Sequence, residues 1–300
     1  MSRRDTITRF RIPPGKSVRL ADHAPDWVPK ELRGLGKEAL KERAKGRVEK
    51  SIGELATLQE VLWASDCYAL LVILQAMDAA GKDGIIEHVM TGMNPQGVDV
   101  HAFKQPSHEE LDHDFLWRCA KVVPARGRIG VFNRSYYEEV LVVRVHQELL
   151  EKQRLPRGPR GKAFWKKRYE SINDFESHLA RSGTPSVKIF LHISKKEQRK
   201  RFLARLDDPN KRWKFEIADV RERGHWDEYM KVYEEVMEAT STDHSPWYVV
   251  PGDHKWVGRA IVADILVQTL RDLKLQVPQV SVTHSRELAE ARRLLQKEKG

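Results

Sequence analysis

Five short apolar runs, each followed by a helical stretch, limit what this chain can fold into more than any other feature. They are YALLVIL (68–74), VDVHAF (98–103), RIGVF (128–132), SVKIFLHI (186–193) and WYVV (247–250). Continuous runs of this length, rich in β-branched residues, suit strands covered on both faces, and strands alternating with helices pair in parallel. The expected fold class is α/β, a parallel sheet of about five strands between layers of helix. Three hundred residues, 40% of them hydrophobic, suffice for one such domain with appendages.

Residues 1 to about 29 are basic and Pro-containing and read as an irregular arm ending near Pro29. From Lys30 to Ala64 the spacing turns helical. Val48, Ile52, Leu55, Leu58 and Leu62 fall at i, i+4, i+7, i+10 and i+14, one apolar stripe that packs on the main domain. Ser194 with Glu197 three residues on reads as a capping box opening a helix through RKRFLARL. The last helix of the sheet domain spans about Val257 to Leu273, ahead of Pro278 and a polar tail with a terminal helix. The expected division is an arm and long helix over 1–64, the sheet domain over 65–275 and a tail helix over 276–300.

Lys and Arg number 53 against 43 Asp and Glu, a net charge of +10 and a pI near 9.5. Such an excess points to an anionic partner: nucleic acid, phosphorylated metabolite, inorganic polyanion or membrane surface. Cys67 and Cys119 fit no metal or redox spacing. The opening MSRRDTITRF has no apolar h-region, and no apolar run approaches the roughly 18 residues of a membrane span. A cytoplasmic location and no membrane partner are expected.

The first apolar run leads into LLVILQAMDAAGKDG (70–84), a strand, a loop and a helix start, the context of a phosphate-cradling P-loop. Two residues depart from G-x-x-x-x-G-K-[ST]. Ala76 replaces the first Gly, which is tolerable where the backbone needs no positive φ, and Asp83 replaces the hydroxyl residue. Backbone amides of Ala80 to Gly84 point inward at the helix mouth on this reading, and Lys82 adds a full charge. At about 4 Å and an effective dielectric near 20, that charge is worth roughly 4 kcal/mol against one phosphate charge. Carboxylates at Asp78 and Asp83 repel phosphate unless a cation lies between, which implies Mg²⁺ held by protein oxygens. The bland alternative is an ordinary Gly-containing strand–helix turn.

A second stretch, RIGVFNRSYYEEV, ends a strand at Asn133, where a carboxylate is usual. Asn133 offers a neutral oxygen, Arg134 can stabilise charge on a transferring phosphoryl group, and Glu138 returns a carboxylate to the mouth of the site. A third stretch carries Arg199, Lys200, Arg201, Arg205, Lys211, Arg212 and Lys214, interleaved with Trp213 and Phe215. Asp208-Pro209-Asn210 breaks its helix, so about 199–226 reads as a mobile lid. The basic run 154–168 can track a long anion or form a solvated connection. HEELDHD (108–114) lacks H-E-x-x-H geometry and suits a helix start after Pro106-Ser107.

Together, MDAAGKDG, FKQPSHEELDHDFLWR, FNRSYYEEVLV and RWKFEIADVRER resemble the second family of polyphosphate kinases, from about residue 15 to 275. The resemblance implies a thymidylate-kinase-like P-loop fold, a three-layer αβα sandwich with a helical lid. It implies Mg²⁺-dependent transfer between inorganic polyphosphate and nucleotides, with Mn²⁺ as the substitute ion. Asp78 then holds the metal, and Ala79, Ala80, Gly81, Asp83 and Gly84 with Lys82 hold a phosphate. Arg134 stabilises the transfer state, and Arg201, Arg205, Lys211 and Lys214 engage polyphosphate or nucleotide. Lys104 and Arg118 of the second motif join them as phosphate or nucleotide ligands. FNRSYYE resembles the subgroup that accepts both AMP and ADP. Ala76 departs from the Gly of many members. The implied partners are polyphosphate and adenine nucleotides, with guanine nucleotides as further candidates, in a homo-oligomer that binds no nucleic acid. The competing readings are an ATP-dependent nucleotide kinase of the thymidylate type and, from pI and the aromatic-interleaved basic stretch, a nucleic-acid-binding protein.

Overall fold

The computed structural model describes residues 3–298, apart from the side chains of Lys37, Lys214 and Val282. Helices α1 (Arg3–Phe10) and α2 (Lys37–Ser65) precede the first strand, β1 (Leu70–Gln75). The chain continues through α3 (Lys82–Val89), β2 (Val98–Ala102), the short α4 (His108–Asp112) and α5 (Trp117–Ala120), and β3 (Ile129–Asn133). Next come α6 (Val142–Val145), α7 (Lys162–Arg181), β4 (Ser186–His192), α8 (Lys195–Asp207), α9 (Ile217–Glu222) and α10 (Trp226–Thr240). Strand β5 (Trp247–Pro251), α11 (Lys255–Asp272) and α12 (Val282–Lys297) follow.

All five strands pair in parallel in the order β2-β3-β1-β4-β5. The α/β class expected from the apolar runs is the one observed. Strands β1, β4 and β5 are buried along their whole length, and β3 along all but its last residue. Strand β2 departs from the expectation of two covered faces: its residues are half-buried or exposed, whereas the other edge strand, β5, is covered. From central β1 the chain goes to β2 and β3 on one side, then to β4 and β5 on the other. A crevice at the C-terminal end of β1 is therefore a topological switch point, where open α/β sheets bind ligands.

The N-terminal arm is not irregular throughout. Residues 3–10 form α1, which buries Thr6, Ile7 and Phe10 against the domain. Arg3 reaches Glu54 on α2 and Asp264 on α11, and Ile12 N donates to Trp247 O at 2.8 Å beside edge strand β5. The apolar face of α1 is only two or three residues long, too short for periodicity to reveal among arginines. Helix α2 starts seven residues later than the spacing suggested. Lys30–Leu32 form a single 3-10 turn, and Gly34 takes φ +87 before the helix begins. Val48, Leu55 and Leu62 of the apolar stripe are buried, and α2 lies along α11.

Half of the expected capping box at Ser194 forms. Its hydroxyl accepts from Glu197 N, but Ser194 N donates to Asp253 Oδ1, and the Glu197 carboxylate pairs with Arg201. A complete box stands at Ser107 and Glu110, where the start of α4 was expected.

Beneath the sheet, Lys188 Nζ and Glu176 Oε2 pair at 2.6 Å, both fully buried. Glu176 Oε1 also accepts from the Tyr136 and Tyr137 hydroxyls at 2.8 and 2.9 Å. Removing one member of such a pair strands the other charge. Glu176→Ala is expected to cost about 3–5 kcal/mol of stability, read from urea unfolding. A loss under about 1 kcal/mol, the value of a surface pair, would contradict this account of the network.

Candidate active site

The loop between β1 and α3 owes its shape to two left-handed residues, Ala79 at φ +59 and Gly81 at φ +110. Ala76 is not among the positive-φ residues, so the missing glycine there costs nothing in backbone strain. Strain falls on Ala79 instead, where a Cβ in the left-handed region costs about 1–2 kcal/mol.

What holds the loop is the stem of α8. Gln198 Nε2 donates to Asp78 O at 2.8 Å, and Arg201 Nη1 donates to Ala79 O and Ala80 O at 3.1 and 2.8 Å. Arg201 Nη2 meets Gly252 O and Asp253 O at 2.6 and 3.1 Å, and its Nε meets Glu197. Three successive loop carbonyls are thus taken up by side chains of α8. Ala80 departs from the expected set of anion-facing amides, because its N–H donates to Met77 O at 3.3 Å and closes a turn. The amides of Lys82, Asp83 and Gly84 open α3 with no backbone acceptor among the described residues.

Lys82 Nζ donates to Ala76 O at 3.1 Å. Burial, and then Arg134, hold its ammonium below the ordinary lysine range, with Asp78, Glu138 and Asp83 pulling upward. A lowered lysine pKa means the charged form is lost earlier as pH rises. The alkaline limb of kcat/KM for the donor is therefore expected below pH 10.5, the ordinary lysine value. In kcat the limb moves up, because bound phosphate restores the charged form. A limb that moves down on saturation would assign it to another group.

Arg134 takes φ +64 at the end of β3, which turns its guanidinium back over the loop. It meets Asp78 Oδ1 at 3.0 Å and Glu138 Oε2 at 3.4 Å. Glu138, then Asp78, hold it above the ordinary arginine range against burial. Burial in turn pushes the Glu138 carboxyl up, with Arg134 and Lys82 opposing. With its amide oriented to suit both neighbours, Gln75 donates to Glu138 Oε1 at 2.8 Å and accepts from Ser135 N at 3.2 Å. Asp219 on α9 is raised by burial and by the charge of Asp78.

Other residues fall elsewhere than expected. Asn133 donates its amide to Asp83 Oδ1 at 2.9 Å, tying the end of β3 to the first turn of α3. Arg201 has its guanidinium committed to the loop carbonyls, so it shapes the loop and is not free for phosphate. Arg205 lies 3.9 Å from Asp219, and Lys211 pairs with Asp208. The side chain of Lys214 lies outside the described residues. Lys104 is exposed, and its carbonyl accepts from Arg118 at 2.9 Å. Arg118 lies over Phe103 and lines a cavity of about 270 Å³ with Glu110, Phe115, Glu139 and Arg168. Arg168, from the second basic run, is buried against Glu139 at 3.1 Å.

Sequence reading missed Gln75 and Gln198. Gln75 left one trace, as the lone polar residue closing the run LLVILQ. Gln198 left none, since its partner is 120 residues away.

The family model for Polyphosphate kinase 2 (PPK2) matches residues 38–278. The chain belongs to the polyphosphate kinase 2 family. One relative, an ADP-polyphosphate phosphotransferase of Rhodopseudomonas palustris, is 52% identical over 96% of this chain and 98% of its own length. The AMP/ADP-polyphosphate phosphotransferase of Meiothermus ruber is 48% identical over 75% of this chain and 80% of its own. The crystal structure of Polyphosphate Kinase 2 from Arthrobacter aurescens TC1 superposes with a TM-score of 0.81 at 43% identity, covering 94% of this chain and 96% of that one. As a polyphosphate kinase 2 member the chain has the P-loop kinase fold, as the motifs implied. No helix among the described residues is long and apolar enough to cross a membrane.

Proposed function

We propose that this chain transfers a phosphoryl group reversibly between inorganic polyphosphate and both AMP and ADP, with Mg²⁺ as its ion. The coarser statement, polyphosphate–nucleotide phosphoryl transfer, follows from family membership and the activities named for the relatives. The observation that carries the site is one arrangement. The mouth of α3 has open amides and Lys82, and Lys82 feels the charge of Arg134, a guanidinium held between two carboxylates.

The acceptor oxygen of AMP or ADP is already anionic, so no general base is needed. It forms a bond to the terminal phosphorus, and the bridging bond breaks with its electron pair leaving on the shortened polyphosphate. Charge spreads over three equatorial oxygens in this loose transfer, and catalysis is mostly positioning and electrostatics. Lys82 and the amides of α3 hold the donor phosphates, while Arg134 meets the group in flight. One phosphoanhydride replaces another when ADP is the acceptor, so this transfer is close to balanced and reversible. The turn between α8 and α9, carrying Lys211, Arg212 and Lys214, is the segment that would close as a lid.

The carboxylates fit a Mg²⁺ ion that arrives with its substrate. The described residues contain no group of three or more His, Cys, Asp or Glu able to hold a metal unaided. Mg²⁺ commonly takes one or two carboxylates and completes its shell with phosphate oxygens and water. Asp78 would hold it, with Glu138 as the second carboxylate, and Mn²⁺ suits the same oxygens. When bound, the ion would neutralise charge on the substrate phosphates.

AMP acceptance is supported by Asn133. An Asp at this position would face Asp83 Oδ1, now 2.9 Å from the amide, and place two carboxylates at the loop. The relative named for ADP alone favours a narrower reading. Chromatography of products with AMP as sole acceptor, in protein free of adenylate kinase, separates the two. The expected result is ADP followed by ATP; untouched AMP beside active ADP phosphorylation leaves the narrower reading. Asn133→Asp is expected to change the AMP-to-ADP rate ratio more than KM for polyphosphate.

A further inference from the structure

Two Ser-x-x-Glu sequences open helices in this chain, and they behave differently. At Ser107 the box closes, and Glu110 Oε2 accepts from Ser107 N at 2.7 Å. At Ser194 the same backbone donor is already taken, because Asp253 Oδ1 accepts from it at 2.8 Å. Glu197 instead turns along α8, where its Oε1 accepts from Arg201 Nε at 3.0 Å and its Oε2 from exposed Lys200 at 3.3 Å. Asp253 therefore decides where the Glu197 carboxylate goes, and through it how the Arg201 guanidinium lies.

Asp253 stands just after β5 and meets α8 a second time. Two turns beyond Ser194, Arg201 Nη2 donates to the Asp253 carbonyl at 3.1 Å and to that of Gly252 at 2.6 Å. The turn carrying these acceptors is fixed by its own backbone. Gly252 N donates to His192 O at 2.7 Å, and Asp253 N to Pro25 O of the N-terminal arm at 3.0 Å. His192 Nδ1 donates to His23 O at 2.7 Å, which fastens the arm two residues earlier. The approach is close: a methyl group on Gly252 would sit 2.9 Å from His192 O.

The phosphate loop needs this backing. Ala79 sits in the left-handed region, and such strain persists only where the surroundings over-determine it. Gln198 on Asp78 O, and Arg201 on Ala79 O and Ala80 O, supply the restraint, and both depend on how α8 stands against the loop. We propose that Asp253 is a positioning residue for phosphoryl transfer. By accepting from Ser194 N it keeps Glu197 on Arg201, and so keeps the loop in its strained shape. Without the Asp253 carboxylate, Glu197 can swing back to Ser194 N, as Glu110 does at Ser107. The helix start then stays satisfied, while Arg201 loses the partner of its Nε. The inference rests on the phosphotransferase reading above and adds a residue that acts on the loop through α8.

Steady-state kinetics of the full chain with ADP and long-chain polyphosphate, beside urea unfolding of the same variants, tests it. Asp253→Ala is expected to lower kcat about 10-fold, the loss of one charge-assisted contact to Arg201. KM for ADP and the unfolding midpoint should stay near wild type. Asp253→Asn keeps an acceptor at Oδ1 and should restore most of the rate. Glu197→Ala removes the same contact without touching Asp253. It should lower kcat alike, and it decides the matter if Asp253→Ala does not fold. The double variant should be no slower than either single one, because both act through Arg201. A lowered midpoint with unchanged kcat, Asp253→Asn as slow as Asp253→Ala, or losses that multiply in the double variant would overturn the proposal. Asp253 would then be a support of the fold alone. Wild-type protein inactive with any polyphosphate would instead remove the phosphotransferase reading, and this proposal with it.

Discussion

Lys82→Ala lowers the rate of phosphoryl transfer about 1,000-fold, while far-ultraviolet circular dichroism and the unfolding midpoint stay near wild type. Lys82 makes one hydrogen bond, to the Ala76 carbonyl, and no ion pair among the described residues, so the fold depends little on it. On the proposed function, its charge acts on the donor phosphates together with the open amides of α3. One such charge at about 4 Å is worth roughly 4 kcal/mol at an effective dielectric near 20. Each 1.36 kcal/mol is a factor of ten in rate, so about 4 kcal/mol is about 1,000-fold. A loss below about tenfold in folded protein would mean that another cation does this work.

The second large effect is expected at Arg134. An arginine that meets the transferring group is worth about 10³–10⁵ in kcat. Arg134→Ala should therefore fall mainly in kcat, with KM for polyphosphate moving much less. Arg134→Lys should recover only part of the rate. A single ammonium cannot span Asp78 Oδ1 and Glu138 Oε2 as the planar guanidinium does at 3.0 and 3.4 Å. Removing the guanidinium also leaves Glu138, already raised by burial, without its strongest opposing charge, so the carboxyl titrates higher still. A variant with raised KM and unchanged kcat would place Arg134 in ground-state binding instead.

The sheet was legible because a buried parallel strand leaves a continuous apolar run, and five such runs stand in the sequence. The same rule misjudged β2, since a run cannot show whether other elements will cover its strand: of the two edge strands β5 is covered and β2 is not. Helix α1 escaped notice because what fixes it is distant: Arg3 to Glu54 and Asp264. In the candidate site, the passage from strand through loop to helix over 70–84 could be read from local spacing. The loop's support could not. Arg201 was expected to meet substrate, yet it binds carbonyls 121 and 122 positions away. Nothing in the spacing of RKRFLARL distinguishes an arginine for phosphate from one for a backbone carbonyl. Asn133 likewise has its partner, Asp83, fifty residues distant, and only the meeting of β3 with α3 brings them together. Strain, too, moved from where the motif suggested. Ala76 holds no left-handed backbone, and Ala79 does.

The central claim is that polyphosphate, and not a nucleoside triphosphate, is the phosphoryl donor. The most direct measurement incubates purified protein and Mg²⁺ with ADP and long-chain polyphosphate as the only phosphate sources. A parallel reaction with ATP as donor and a nucleoside monophosphate as acceptor completes the test. Formation of ATP from ADP that consumes polyphosphate, far exceeds the ATP-driven reaction and collapses in Lys82→Ala is the predicted result. ATP-driven phosphorylation of the monophosphate, with no ATP formed from polyphosphate, would contradict it.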